Sequence, residues 1–412
     1  HNWSAEIARL PEPLLVLGNP PWVTNAALGS LGSQNLPKKS NIKNLNGLDA
    51  LTGKSNFDIS EWMLLQILRW LHGREATLAM LCKTSVARKV LLEAWKGKLA
   101  IKKAEIRSID SATAFQAAVE ACLLLCHFQP ESSSQEAACF SRIHDAEPTQ
   151  FLGIRNGRLI ANLPDFDRWA HLAGNFGIKW RSGIKHDCAK IMELQREGNC
   201  YRNGLQELWE LETDCLYPLL KSSDLAHSRT KIPRKYLLVP QRFIGENTLS
   251  LRDRAPQTWK YLQAHAEYFN RRASSIYKDR PPFSIFGVGD YSFTPGKVGV
   301  SALYKKLAFV PIGTYMDKPI ILDDTCYFLP CTSLDQAEFL AHLLNSPAAK
   351  EFLNSLIFWD AKRPITIEIL QYLDLLALAH ELKEKTIYFD CLEKFFPRQN
   401  ADLQQRFSFH SF

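Results

Sequence analysis

A chain of 412 residues with 46% apolar and 11% aromatic side chains is long enough for two or three globular cores. Its formal net charge of +7 mildly favours a polyanionic partner, and no apolar run reaches the ~18–20 residues of a membrane-spanning helix. The opening HNWSAEIARL has no basic n-region and no apolar h-region, so it does not read as a secretory signal. The ten cysteines include no Cys-x-x-Cys pair, and core thiols in a reducing cytoplasm are expected rather than a metal site.

In chain order, Leu14–Gly18 reads as a short apolar strand, of the kind buried on both faces of a parallel sheet. A polar loop runs from Thr24 to Asn56. Phe57–Leu71 has helical spacing with Asp58 and Glu61 in its first turn, and Gly73 ends it. Thr77–Leu81 is a strand, Ser85–Trp95 a helix, and Ala104–Ser108 and Val119–Phe128 are further strands. That alternation is the pattern of a doubly wound α/β sheet. The Ser-rich segment Gln129–Arg142 reads as a boundary, giving a first domain over 1–130 and a second over 143–412. Beyond it, Pro, Gly, aromatic and basic residues mix irregularly to about Pro330. Helical spacing then returns at Ser333–Leu356 and Thr366–Leu382, so the second domain is expected to be α+β with a helical C-terminal part.

The stretch LLVLGNPPWVTN, Leu14 to Asn25, carries the chemistry. Ligands of open parallel sheets sit beyond the carboxyl ends of the strands, which is where Asn19–Trp22 fall. Pro20 and Pro21 fix φ and stiffen the loop. Asn19 and the neighbouring carbonyls offer acceptors, and Trp22 a flat face. Carbonyls beside an aromatic platform suit the grip of an exocyclic amine on a flat heterocycle. Accepting both N–H bonds of such an amine, from Asn19 Oδ1 and the Pro20 carbonyl, favours a tetrahedral nitrogen with a free lone pair. The base must leave the duplex first, and a stacking aromatic offsets part of that loss.

LGNPPW resembles motif IV, (D/N/S)-P-P-(Y/F/W), of the DNA amino-methyltransferases, and with Asn in first place it looks like the N6-adenine group. Ala76–Trp95 resembles the region of motifs VI and VII. Asp110–Phe128 resembles motif VIII, in which Phe115 matches the Phe that packs on the other face of the flipped base. Pro281–Phe309, CYFLPC, FLAHLLNS and AKRPIT resemble the target-recognition region of TaqI-like, gamma-class enzymes and their fused restriction enzymes. The resemblance implies a partial Rossmann-like methyltransferase sheet followed by a recognition domain. It also implies S-adenosyl-L-methionine as donor, double-stranded DNA as partner and a role in restriction-modification. Asn19, Pro20, Pro21 and Trp22 would be catalytic, with Trp22 and Phe115 stacking on the base. Arg181, Lys185, Lys297, Lys305, Lys306, Lys362 and Arg363 are the expected phosphate contacts.

Other readings carry less. Phe286–Gly289 has the look of a cofactor glycine loop, but the aromatic alternation, Pro-Gly and Lys after it suit strand-turn-strand better. His186 and Asp187 read as a polar helix start rather than a dyad. Glu381–Lys385 and the residues near Asp390 read as solvated helix faces rather than a nuclease. A gamma-class enzyme carries its glycine loop upstream of motif IV, yet only 13 residues precede Leu14. The donor is therefore expected to bind weakly or not at all to this chain alone. The strand at 14–18 is expected to be covered by a separate N-terminal segment or chain, or by an oligomer partner. A fragment or split methyltransferase is the favoured expectation. A non-catalytic DNA-recognition subunit or degenerate enzyme is the alternative, and methylation of a protein or RNA amine a third.

Overall fold

In the computed structural model, which describes residues 3–23, 58–111, 113 and 119–395, the apolar runs of the first third condense into one sheet with helices against it. The chain divides into two units, His1–Arg168 and Trp169–Phe412. The first holds α1 (Trp3–Ala8), β1 (Leu14–Gly18), α2 (Ile59–Leu71), β2 (Ala76–Lys83), α3 (Thr84–Lys96), β3 (Ile101–Ile109), β4 (Ala121–Phe128), β5 (Glu136–Phe140), β6 (Gln150–Arg155) and β7 (Arg158–Ile160). Their order across the sheet is β1-β2-β4-β3-β5-β6-β7.

The expected strands and helices of this unit are present, but the sheet is mixed rather than doubly wound throughout. β1 and β2 run parallel, as do β3 and β5, whereas β4 is antiparallel to both β2 and β3. The reason is chain length: residues 110–120 are too few for the dozen or more that a parallel crossover takes. The boundary also moves. β5 pairs with β3, and β6 and β7 extend the same sheet, so residues 136–160 belong to the first unit and the expected break at 130–143 falls inside it.

Burial follows the strand period of two. Leu78, Met80 and Cys82 of β2 and Leu124 and Cys126 of β4 face a core closed by Leu64 and Leu68 of α2 and Val90, Leu91 and Trp95 of α3. Asp58 caps α2 by accepting from Ser60 N at 3.1 Å. Cys82 and Cys122 lie with Sγ atoms 4.0 Å apart inside this core, consistent with core thiols. The other face is open. Leu15 and Leu17 of β1 are 60% and 68% exposed, in register with Thr77 and Ala79 of β2. β1 was expected to be buried on both faces; it is covered on one, and it forms the edge of the sheet among the described residues.

The second unit builds a six-stranded sheet in the order Leu208–Trp209, Cys200–Arg202, Glu193–Glu197, Lys235–Leu238, Leu216–Leu220, Ile321–Leu322. A four-stranded sheet runs Val310–Ile312, Gly296–Ser301, Cys326–Cys331, Arg181–Ser182. Gly183 is required where these meet, because a Cβ there would lie 2.1 Å from the Asp323 carbonyl oxygen. The C-terminal helical spacing resolves into Leu334–Leu344, Pro347–Leu356, Ile367–Gln371, Leu375–Glu381 and Lys385–Phe395. The long run breaks at Asn345–Ser346 because Ser346 caps a new helix that Pro347 begins.

Lys297 is the clearest departure from its expected place on a DNA surface. It lies in Gly296–Ser301, an inner strand whose six positions are all buried, and is 1% exposed, so it does not reach a phosphate. Its ammonium donates to the Thr294 carbonyl at 2.7 Å, and burial pushes its pKa down to about 7. Because the folded pKa lies below the unfolded value near 10.5, the folded state binds fewer protons between the two, so this group's penalty is full below pH 7 and fades as pH rises towards 10. Lys297→Met is therefore expected to melt higher than the parent at pH 6.5, by about a few degrees. That advantage should shrink at about pH 9.5; a variant that melts lower at both would refute this account of the buried amine.

Candidate active site

Register places the Asn-Pro-Pro-Trp segment beside the end of β2. Gly18 of β1 pairs with Met80, and β2 continues for Leu81, Cys82 and Lys83 past the point where β1 stops. Gly18 is close-packed there: a Cβ would sit 2.8 Å from Met80 Sδ. Asn19 and Pro21 are exposed, Pro20 is buried and Trp22 is half-buried. The loop thus presents the carboxamide to solvent and anchors itself through the first proline.

Its far end is fastened by charge. Lys83 Nζ donates to the Trp22 carbonyl at 3.2 Å and to Asp58 Oδ2 at 2.7 Å. Asp58 is 5% exposed and also accepts from Ser60 Oγ at 2.6 Å. Ile59 N donates to the Val23 carbonyl at 3.0 Å, so the first turn of α2 and the end of β2 clamp the loop between them. Sequence reasoning placed Asp58 only as a helix-start residue and missed Lys83. The available signal was a lysine ending an otherwise apolar strand, ATLAMLCK, at the carboxyl edge of the sheet. Phe115 lies outside the described residues.

In the second unit, Arg181 is half-buried with its guanidinium 4.4 Å from the Tyr291 ring centroid. Lys185 is partly exposed and pairs with Asp187 at 3.2 Å. Arg363 donates to the Asp324 carbonyl at 3.2 Å, and Asp324 N donates to the Ile184 carbonyl at 3.0 Å, which brings Arg363 alongside the Arg181–Lys185 segment. Lys305, Lys306 and Lys362 are exposed. His186 does not face Asp187. It is buried, accepts from Cys188 N at 3.2 Å and lies 3.6 Å from Glu193, whose carboxylate takes Lys221 at 2.6 Å and Lys235 at 2.8 Å. Burial holds the His186 pKa below its ordinary value. This cluster is a structural support that the sequence did not announce. Phe286–Gly289 leads into a single 3-10 turn, Asp290–Phe293, rather than the strand-to-helix turn of a glycine loop.

No protein-family model matches the chain. Among solved structures, the Type IIL restriction-modification enzyme MmeI in complex with DNA is similar at a TM-score of 0.49 and 13% identity, covering 82% of this chain and 43% of that one. The DrdV–DNA complex is similar at a TM-score of 0.39 and 10% identity, covering 91% and 44%. The sequence relationship is much stronger. Over 379 residues the chain is 46% identical to the Type II methyltransferase M.NspV of Nostoc sp., taking in 92% of this chain and 79% of that protein. An identity of that size over most of both sequences, with the Asn-Pro-Pro-Trp segment clamped at the end of a sheet strand, means that the chain belongs to the Type II methyltransferase family.

Proposed function

We propose that the chain is the base-capturing and DNA-reading part of a site-specific DNA adenine-N6 methyltransferase of a TaqI-like, gamma-class restriction-modification system. The single observation that carries this reading is the exposed Asn19 carboxamide on a loop fixed by Pro20 and by Lys83 and Asp58. A rigid acceptor at a strand end fits an exocyclic amine better than a mobile one, because ordering the loop on binding would subtract from the grip. Asn19 Oδ1 and the Pro20 carbonyl accept the two amine N–H bonds, and Trp22, with Phe115, stacks on the extruded base. S-adenosyl-L-methionine supplies the methyl group.

The residues named here hold the base side of the reaction. Among the described residues, no strand-to-helix turn offers a glycine loop for the donor. The open sheet face at Leu15 and Leu17 supports a further methyltransferase segment packed there, with the donor site on that side. Arg181, Lys185, Lys305, Lys306, Lys362 and Arg363 remain the proposed phosphate contacts.

The test is transfer of labelled methyl from S-adenosyl-L-methionine to duplex DNA, by this chain alone and with the upstream coding segment restored. N6-methyladenine is the expected product, and N4-methylcytosine would overturn the base assignment. Asn19→Ala should lower the rate by roughly a hundredfold or more. Duplex binding without any transfer would favour the non-catalytic recognition subunit. Lys83→Met should lower both activity and stability, the latter by about 3–5 kcal/mol, because it leaves Asp58 buried and unpaired. Pairing it with Asp58→Asn should recover most of the melting temperature but not the rate. Recovery of both would reduce Lys83 to a stability role.

A further inference from the structure

The loop that follows Lys235–Leu238 in the second unit combines rigidity with apolar exposure. Both of its ends are sunk. Gln241 is 1% exposed, accepts from Ile285 N at 3.1 Å and donates to the Phe243 carbonyl at 2.8 Å. Thr248 is fully buried and donates through Oγ1 to the Pro282 carbonyl at 2.5 Å. Between them, Glu246 N closes a turn onto the Phe243 carbonyl at 3.2 Å, Gly245 takes a φ of +87°, and the Glu246 carboxylate accepts from Arg242 N. This pinned turn holds Phe243 59% and Ile244 46% exposed. An ordered loop that keeps two large apolar side chains in water forgoes their burial energy and is shaped for contact with something else.

The charge beside it says what. A cleft of about 380 Å3 adjoins the loop, lined by Arg242, Arg254 and Lys318 with the acid Asp214, while Glu246 of the loop lies 3.9 Å from Arg254, and Tyr217 and Phe293 form its aromatic walls. The Arg242 guanidinium lies 4.1 Å from the Phe293 ring centroid and donates to Tyr217 Oη at 3.3 Å. Lys318 Nζ lies 5.4 Å from the Tyr217 ring. Three cations held in place beside a rigid apolar tip match a polyanion with flat apolar faces, which is a nucleic acid duplex.

We propose that the Gln241–Thr248 loop is a DNA contact that sequence reading did not assign. The Arg242–Lys318 cleft takes a backbone phosphate, and Phe243 and Ile244 make apolar contact with base edges or a base step. This rests on the DNA-methyltransferase reading and adds to it the residues that convert phosphate binding into close contact with bases.

The experiment measures affinity of the whole chain for a pool of duplexes of about 30 base pairs with randomised centres, at low and moderate salt. Phe243→Ser with Ile244→Ser should leave the melting temperature unchanged, since both side chains are exposed. Affinity for the duplexes best retained by the parent should fall about tenfold, with the same salt dependence. Arg242→Gln keeps a donor for Tyr217 and should weaken all duplexes alike, reducing the salt slope by about one. A double variant that binds those duplexes within about twofold of the parent would overturn the inference and leave the methyltransferase reading intact. A parent chain that retains no duplex at all would overturn both.

Discussion

One ammonium group decides the geometry of the candidate site. Lys83 stands where β2 outruns β1, and its ammonium donates both to a buried carboxylate and to the backbone of the Asn-Pro-Pro-Trp loop. The same carboxylate starts α2, so a helix terminus, a strand terminus and the loop share one electrostatic joint. Exposed ion pairs of this kind contribute little, but here Asp58 is removed from water and its loss of a partner would be severe. The position of Asn19 is thus inherited from the sheet and the helix rather than from the loop's own preferences.

The second unit uses buried charge in the same manner and for a different end. Glu193 is almost enclosed and carries Lys221 and Lys235 on its two oxygens, with His186 beside it and Asp323 bonded to Lys221 at 3.4 Å. These residues come from segments far apart in sequence, and the network joins the 186–193 segment to neighbouring strands of the six-stranded sheet. Such networks favour one arrangement over alternatives more than they add stability.

The first unit was legible because its residues obey simple periods. LLVLG, ATLAMLCK and ACLLLCHF are apolar enough to be strands in any context, and the helix over Ile59–Leu71 has a clean apolar stripe with Asp58 at its start. Strand direction was not legible, since it depends on the length of the connection at 110–120 and not on composition. Nor was burial of β1: Leu15 and Leu17 are as apolar as Leu14 and Val16, and only the packing tells them apart. Asn19–Trp22 could be read from chemistry and motif together, whereas Lys83 left only its place at the end of an apolar strand, where a lysine is ordinarily just a solvated charge. Lys297 misled for the same reason in reverse. In the second unit, strands of two to six residues carry too few positions for a period to show.

Lys297 also gives the fold an internal reporter. The burial that lowers the pKa of this amine also seals it inside a strand that has neighbours on both sides. Surface lysines are available to acylating reagents at all times, while Lys297 becomes available only when the four-stranded sheet opens. Its modification therefore follows the opening equilibrium of that sheet and not the chemistry of the side chain, so a single residue clocks the breathing of the second unit.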